Sequence, residues 1–208
     1  MRLAAFASGG GSNVQAILDA VDAGTLRAEV ALVVTDRDGI GVLDRAARHG
    51  VPSVVVRPKE FDGSEAFGEA LLAALRDHGV DFVALAGYLK HVPAAVVRAF
   101  RHRILNIHPS LLPAFGGAGF YGRRVHEAAL DYGVKWSGAT VHLVDEAYDT
   151  GPIVLQEPVP VHADDTPETL AARVLAVEHR LYPEALRLFA DGRVRLDGRR
   201  VIIDSDTP

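Results

Sequence analysis

The stretch that decides the fold is Leu3-Ala-Ala-Phe-Ala-Ser-Gly-Gly-Gly-Ser-Asn13, in which a short apolar run leads into three glycines. Residues 3–7 have the length and the apolar character of a buried strand. Residues 14–23 follow with helical spacing and end at Gly24. A buried strand joined through glycines to a helix is typical of the first unit of an α/β domain with a parallel sheet.

The same alternation of strand and helix continues outward from this unit. Further buried strands are predicted at residues 30–34, 53–56, 82–86 and 104–107. Helices are predicted near residues 41–49 and at residues 64–78, with Ser64 as a plausible N-cap of the latter. The pattern therefore indicates an α/β fold with a Rossmann-like, doubly wound and mostly parallel sheet, with helices on both faces.

The pattern changes after Pro113, where a glycine-rich loop occupies residues 114–124. Beyond it we predict a helix, an antiparallel strand pair, a long helix and a small ribbon, at residues 125–132, 137–144 with 153–161, 167–190 and 194–203. No linker or repeat interrupts the chain. The prediction is a single domain over residues 1–208, with halves at about 1–100 and 101–190 and an antiparallel terminal ribbon at about 191–208.

Composition favours an ordinary globular enzyme domain. The chain has 208 residues, 49% of them hydrophobic, and a formal net charge of −5, which gives no global attraction to nucleic acid or to an anionic membrane. Cysteine is absent, so there is no disulfide, thiolate nucleophile or cysteine-ligated metal. The apolar run at the start of the sequence is too short for a signal peptide. No stretch approaches the roughly 18 apolar residues that a membrane span needs. We expect a cytoplasmic protein.

The glycine loop, residues 8–13, suits an anion. Glycines let the backbone approach a phosphate, and the free N–H groups of a helix N-terminus bind it without a basic side chain. The loop lacks the third glycine of the dinucleotide fingerprint and the GK[ST] of a P-loop. The alternative is a simple tight turn capped by Ser12.

The octapeptide Asn106-Ile-His-Pro-Ser-Leu-Leu-Pro113 places an amide and an imidazole two residues apart. On an extended backbone the two side chains lie on one face, where Asn106 can hold a developing oxyanion and His108 can move a proton. The alternative for Asn-x-His alone is a polar strand end that caps a turn.

A third group of polar residues lies between His142 and Ile153, where Asp149 precedes a Gly-Pro turn. A carboxylate close to His108 would stabilise the imidazolium and raise its pKa toward working pH. Taken singly, Asp149 and the neighbouring acids are more often solvated loop residues, and the sequence alone does not show that Asp149 approaches His108. The histidines lack HExxH-type spacing, so no metal is expected.

Five segments together resemble the folate-dependent formyltransferases, and specifically the phosphoribosylglycinamide formyltransferase family of de novo purine synthesis. In order along the chain they are SGGGSN, LAGYLK, NIHPSLLP, SGATVHLVDEAYDTGPIVLQ and VEHRLYP. The resemblance implies a nucleotide-binding first half and a catalytic, folate-binding second half. It also implies 10-formyltetrahydrofolate as co-substrate, no metal, and small-molecule partners only, in a monomer or homodimer that binds neither nucleic acid nor membrane.

The resemblance also implies which residues act. It assigns catalysis to Asn106, His108 and Asp149. The ribonucleotide contacts that it implies are Gly11, Ser12, Asn13 and Glu178, and the folate contacts are Leu89, Lys90, His91, Val92 and Asn106.

Three positions depart from the family pattern. A basic residue near position 64 often meets the folate, whereas this chain has Ser64, so Lys59 or another group would substitute. Lys90 stands where arginine is common, which keeps the charge but loses the planar fork. The loop at residues 114–124 is longer than in some members and is interpreted as a substrate-side variant.

Three other functions remain open. A methionyl-tRNA formyltransferase is expected to carry an additional basic C-terminal domain. A formyltetrahydrofolate hydrolase is expected to carry an N-terminal regulatory domain, whereas the first strand here begins at residue 3. A nucleotide-binding or sensor domain without turnover would not need the Asn106, His108 and Asp149 set. The glycine loop favours a ribonucleotide acceptor.

Overall fold

Buried apolar runs form the strands in the computed structural model, which describes residues 1–204. The strands are β1 (Arg2–Phe6), β2 (Glu29–Thr35), β3 (Ser53–Val55), β4 (Phe82–Leu85), β5 (Ile104–His108), β6 (Trp136–Leu143), β7 (Ile153–Pro160), β8 (Val194–Asp197) and β9 (Arg200–Ile203). The α-helices are α1 (Ser12–Asp22), α2 (Gly41–Arg48), α3 (Gly63–Asp77), α4 (Ala94–Ala99), α5 (Arg123–Tyr132) and α6 (Pro167–Ala190).

Seven strands form one sheet in the order β3-β2-β1-β4-β5-β6-β7, and β8 pairs with β9 in a separate ribbon. The pairs within β1 to β5 are all parallel, whereas β6 with β7 and β8 with β9 are antiparallel. The predicted α/β class, with a mostly parallel sheet and an antiparallel C-terminal portion, is confirmed.

The chain divides into two compact units after Asn106. In the first unit the residues of β1 after Arg2 are fully buried, and β2 and β4 contribute further apolar residues to the same core. Continuous burial of this kind is what a parallel strand covered on both faces requires. The single domain over residues 1–208 stays a prediction.

The second unit, from Ile107 onward, is organised by α6. The helix begins at a reciprocal cap in which Thr166 and Thr169 each accept the other's backbone N–H, followed by Pro167 at the first helical position. Its buried residues recur every three or four positions, so one stripe packs against α5, β6 and β7. Tyr182 in this stripe is fully buried. The last four residues of the predicted ribbon, 205–208, lie outside the described residues.

Some sequence-based boundaries were wrong. Helix α3 begins at Gly63 after Asp62, so Ser64 lies within its first turn and is not the N-cap. The helix α4 and a 3-10 helix at Pro58–Glu60 were not predicted, because both are too short to show a periodic pattern. Within residues 1–204, no helix has both the length and the apolar character needed to cross a bilayer.

Candidate active site

The first unit contains a topological switch point. Strand β1 pairs with β2 on one side and with β4 on the other, all in parallel. The direction in which strands are added therefore reverses at the β1–β4 pair. In open parallel sheets, ligands bind at the carboxyl ends of the strands beside such a reversal. Two segments with predicted binding residues leave the sheet there: residues 8–13 after β1, and residues 86–93 after β4.

The glycine loop turns sharply into α1 at Gly11. This residue is the N-cap, with a left-handed φ of 72°, and no side chain caps the helix. A Cβ at Gly11 would lie 2.6 Å from Val42 Cγ2, so only glycine fits. Ser12 is the first helical residue, and the alternative of a turn capped by Ser12 is wrong. The N-terminus of a helix that no side chain caps is a general binding feature for anions.

The segment after β4 is fastened to the ends of β1 and β2. The Leu89 N–H donates to Ser8 Oγ at 2.9 Å. Lys90 Nζ lies 3.4 Å from Asp36 Oδ2, and the Asp36 side chain is only 3% exposed. The predicted folate-contacting residues of this segment comprise exposed Leu89 and His91, partly exposed Lys90 and buried Val92.

Strand β5 carries the first two predicted catalytic residues on alternate positions. Asn106 is partly exposed, whereas His108 is 4% exposed. The intervening Ile107 is buried on the opposite side of the pleat.

A carboxylate with an 11% exposed side chain, that of Asp149, lies between two imidazoles in the second unit. Asp149 Oδ2 is 3.6 Å from His108 Nδ1, and Asp149 Oδ1 is 3.5 Å from His142 Nε2. The His142 Nδ1–H donates to the Leu143 carbonyl at 2.8 Å, which directs Nε2 toward the carboxylate. The structure thus brings together His108 and Asp149, which are 41 positions apart in the sequence.

The glycine-rich loop contacts both members of this pair. His108 Nε2–H donates to the Phe115 carbonyl at 2.8 Å, and the Gly117 N–H donates to Asp149 Oδ2 at 2.8 Å. Phe115 and Asp149 have left-handed φ values of 52° and 55°, which non-glycine residues rarely adopt. The beginning of the loop is therefore part of the candidate site.

Burial and charge act in opposite directions on these groups. Burial lowers the pKa of His108 below its usual value, although the Asp149 charge and the Phe115 hydrogen bond act to raise it. The Asp149 charge raises the His108 pKa in the expected direction, but desolvation outweighs the carboxylate. Burial alone would raise the pKa of Asp149, but His142, His108 and the Gly117 N–H bring it below its usual range. Asp149 is thus held as a carboxylate.

Comparison with known proteins identifies the family. The family described as formyl transferase matches residues 1–186. The chain belongs to the formyl transferase family. This assignment agrees with the family that the five sequence segments resemble.

Individual members of the formyl transferase family match all or nearly all of the chain. The chloroplastic phosphoribosylglycinamide formyltransferase of Vigna unguiculata is 47% identical over 210 residues, which cover 100% of this chain and 67% of that protein. The crystal structure of glycinamide ribonucleotide transformylase 1 from Symbiobacterium toebii has a TM-score of 0.94 at 47% identity, covering 99% of this chain and 94% of that one. The trifunctional purine biosynthetic protein adenosine-3 of Bos taurus is 41% identical over 195 residues, or 94% of this chain and 19% of that protein.

Two further residues of this formyl transferase lie in the second unit. Glu178, predicted to contact the ribonucleotide, is buried on α6. His126, on α5, is 4% exposed, and burial together with the charge of His108 lowers its pKa. Among residues 1–204, no group of three or more histidine, cysteine, aspartate or glutamate side chains could hold a metal ion.

The sequence pointed only partly to the environment of this formyl transferase site. The contact between His142 and Asp149 was not predicted, because His142 is one of several histidines spread along the chain. The carbonyl of Phe115 and the N–H of Gly117 are backbone groups, for which side-chain identity gives no signal. Asp36 was missed as well, although an acid directly after a buried strand is a signal that could have found it.

Proposed function

We propose that this chain transfers the formyl group of 10-formyltetrahydrofolate to the amine of N1-(5-phospho-D-ribosyl)glycinamide, a step of purine (IMP) biosynthesis. The observation that carries this function is the largely buried His108–Asp149 pair, with His108 at the end of β5 in the NIHPSLLP motif, in a chain that matches phosphoribosylglycinamide formyltransferases over its whole length. It is a one-carbon group transferase.

The chemistry begins when the glycinamide amine attacks the formyl carbon. A C–N bond forms, the carbonyl π electrons move to oxygen, and a tetrahedral oxyanion results. The amine then loses a proton, the bond from carbon to folate N10 breaks, and N10 accepts a proton. The products are formylglycinamide ribonucleotide and tetrahydrofolate, and no electrons are gained or lost.

We assign the stabilisation of the oxyanion to Asn106 and His108. The Asn106 amide donates an N–H, which at such a position is typically worth about 3 kcal/mol of barrier. His108 donates a hydrogen bond or a proton, and its burial makes it a stronger acid than an exposed histidine. In the unliganded chain its Nε2–H is engaged by the Phe115 carbonyl, which the formyl oxygen has to replace.

Asp149 has two proposed tasks. Its carboxylate, 3.6 Å from Nδ1, orients the ring and stabilises the imidazolium. It also orders a water that relays the proton away from the attacking amine. His142 and the Gly117 N–H hold Asp149 in its ionised form for both tasks.

The binding assignments follow the two segments at the switch point. We propose that the backbone of Gly11, Ser12 and Asn13 binds the ribonucleotide phosphate, with Glu178 contacting the same substrate. The proposed folate contacts are Leu89, Lys90, His91, Val92 and Asn106. We also propose a cytoplasmic monomer or homodimer that uses small-molecule substrates and neither metal nor nucleic acid.

Product formation with a chosen acceptor tests this function. Absorbance of the folate chromophore is followed after mixing the enzyme with 10-formyltetrahydrofolate, with and without glycinamide ribonucleotide. Turnover that requires the ribonucleotide supports the proposal. Tetrahydrofolate and formate released at the same rate without it would identify a hydrolase, and absence of turnover under both conditions would identify a binding domain.

A further inference from the structure

A buried carboxylate lies beside the proposed folate segment, outside the catalytic group. Asp36 follows β2 directly, and its side chain is 3% exposed. Its Oδ2 is 2.9 Å from Arg37 Nη2 and 3.4 Å from Lys90 Nζ. Burial would raise the pKa of Asp36, but Arg37, Ser8 and Lys90 together bring it below the usual value. A buried, ionised carboxylate with two cationic partners is costly to desolvate and calls for a structural or functional reason.

The same carboxylate acts on the segment by a second route, through Ser8. The Ser8 hydroxyl acts on Asp36 and lowers the pKa of its carboxyl, while the Ser8 oxygen accepts the Leu89 N–H at 2.9 Å. A hydroxyl that is polarised by a neighbouring anion is a stronger acceptor. The Ser8 N–H in turn donates to the Gly87 carbonyl at 3.0 Å. Asp36 therefore acts on the Lys90 side chain directly and on the Leu89 N–H through Ser8.

The segment is also held between these contacts. The Tyr88 ring packs edge-to-face on Phe6 of β1, with 5.2 Å between centroids, and is 8% exposed. Residues 87 to 90 thus contact the ends of β1 and β2 at every position. Leu89, at the tip, is 45% exposed and available to a ligand.

We propose that Asp36 is the positioning residue of the folate-binding segment: through Lys90 and Ser8 it fixes the backbone of residues 87–92 in the shape that receives the folate. The inference rests on the proposed function for the identity of the ligand, whereas the anchoring can be tested without any ligand. A carboxylate is needed, because an asparagine of the same size loses the attraction to both cations and presents N–H groups toward them.

Hydrogen exchange of the unliganded protein tests the anchoring. We compare Asp36→Asn with Asp38→Asn, a matched change two residues away at a side chain that is 66% exposed and paired with Arg57. In Asp36→Asn the amide of Leu89 and its neighbours in residues 87–92 should exchange about tenfold faster, since a charge-assisted contact is lost. Equal exchange of this segment in the two variants would overturn the proposal.

Ligand binding then tests the positioning. For Asp36→Asn we expect the KM for 10-formyltetrahydrofolate and the Kd for tetrahydrofolate to rise about tenfold. The KM for glycinamide ribonucleotide and kcat should stay within about twofold. In a Lys90→Met background the same change should have a smaller effect, because the two residues act together.

The outcomes separate the two proposals. Unchanged folate constants in Asp36→Asn, or an equal rise for both substrates, would refute the positioning role while leaving the proposed function intact. Wild-type protein that binds no tetrahydrofolate would instead refute the proposed function, even if the exchange data showed Asp36 to anchor the segment.

Discussion

The glycine at the start of α1 gives the sharpest test of the phosphate site. In Gly11→Ala the new residue keeps a φ of 72°, which costs about 1–2 kcal/mol for a non-glycine residue. Its Cβ would also lie 2.6 Å from Val42 Cγ2 and 2.7 Å from Val42 Cβ, roughly an ångström closer than ordinary contact. Overpacking of this kind costs a further ~1–3 kcal/mol. We expect the free energy of unfolding to fall by about 2–5 kcal/mol.

The steric clash in Gly11→Ala also predicts a selective loss of function, because it displaces the loop. The loop has to move by about an ångström, and a misplacement of this size at a binding site can cost about 100-fold. We therefore expect the ribonucleotide KM to rise by up to about 100-fold, while the 10-formyltetrahydrofolate KM changes by less than about threefold. Urea unfolding measures the first effect, and steady-state kinetics with each substrate varied in turn measure the second.

Gly24→Ala is the matched control, because Gly24 has a φ of 70° but open space around its Cβ position. It measures the conformational cost alone, so Gly11→Ala should be the less stable of the two. Val42→Ala, which removes the nearest atom, should restore part of the loss. Equal stability of the two glycine variants would refute the steric argument, and an unchanged ribonucleotide KM in Gly11→Ala would refute the phosphate assignment.

Three further variants test the rest of the molecule. His108→Ala should lower kcat by about 10²–10⁴-fold with little change in either KM, and normal kcat in a folded variant would remove the assigned role. Asp149→Asn removes the charge that raises the His108 pKa. The limb of the kcat–pH profile that reports the imidazolium should therefore move to lower pH, and kcat at pH 7 should fall. An NMR titration of His108 that matches wild type would contradict this. Asp165 accepts two hydrogen bonds from Arg173 and one from the His162 N–H, which place its pKa far below the usual value. The contribution of Asp165 to stability is therefore present above about pH 4 and is lost as the pH falls. Asp165→Asn should lower Tm at pH 7 and flatten the decline of Tm in acid. Parallel Tm–pH curves of the variant and wild type would disprove this contribution.

The parallel half of the fold could be predicted because its signal is local. Strand β1 and its neighbours are short apolar runs bounded by glycine, proline or charge, and burial on both faces gives each a continuous apolar sequence. Helix α4, with six residues, gives no such signal and was missed. The start of α3 was misplaced because Ser64 is an excellent capping residue by type, while the chain enters the helix through Asp62 and a left-handed Gly63.

The site could be predicted only as separate residues. The types and order of Asn106, His108 and Asp149 indicated a formyl-transfer chemistry through the family resemblance, but the approach of His108 to Asp149 depends on tertiary packing. The opposing effect of burial on the His108 pKa was not predicted for the same reason, since burial cannot be read from a motif. Asp36 was overlooked because a single aspartate after a strand is usually solvated, and only the structure shows it to be buried with two cations.

At position 149 the left-handed backbone disfavours, for stability, the residue that the chemistry needs. Glycine would adopt a φ of 55° without strain, so Asp149→Gly should relieve a cost of about 1 kcal/mol or more while deleting the carboxylate. A screen of random variants for heat resistance alone should therefore tolerate glycine at 149 in inactive proteins, whereas a screen that also demands growth without added purines should retain aspartate. Any thermostabilised version of this enzyme has to find its gains elsewhere in the chain.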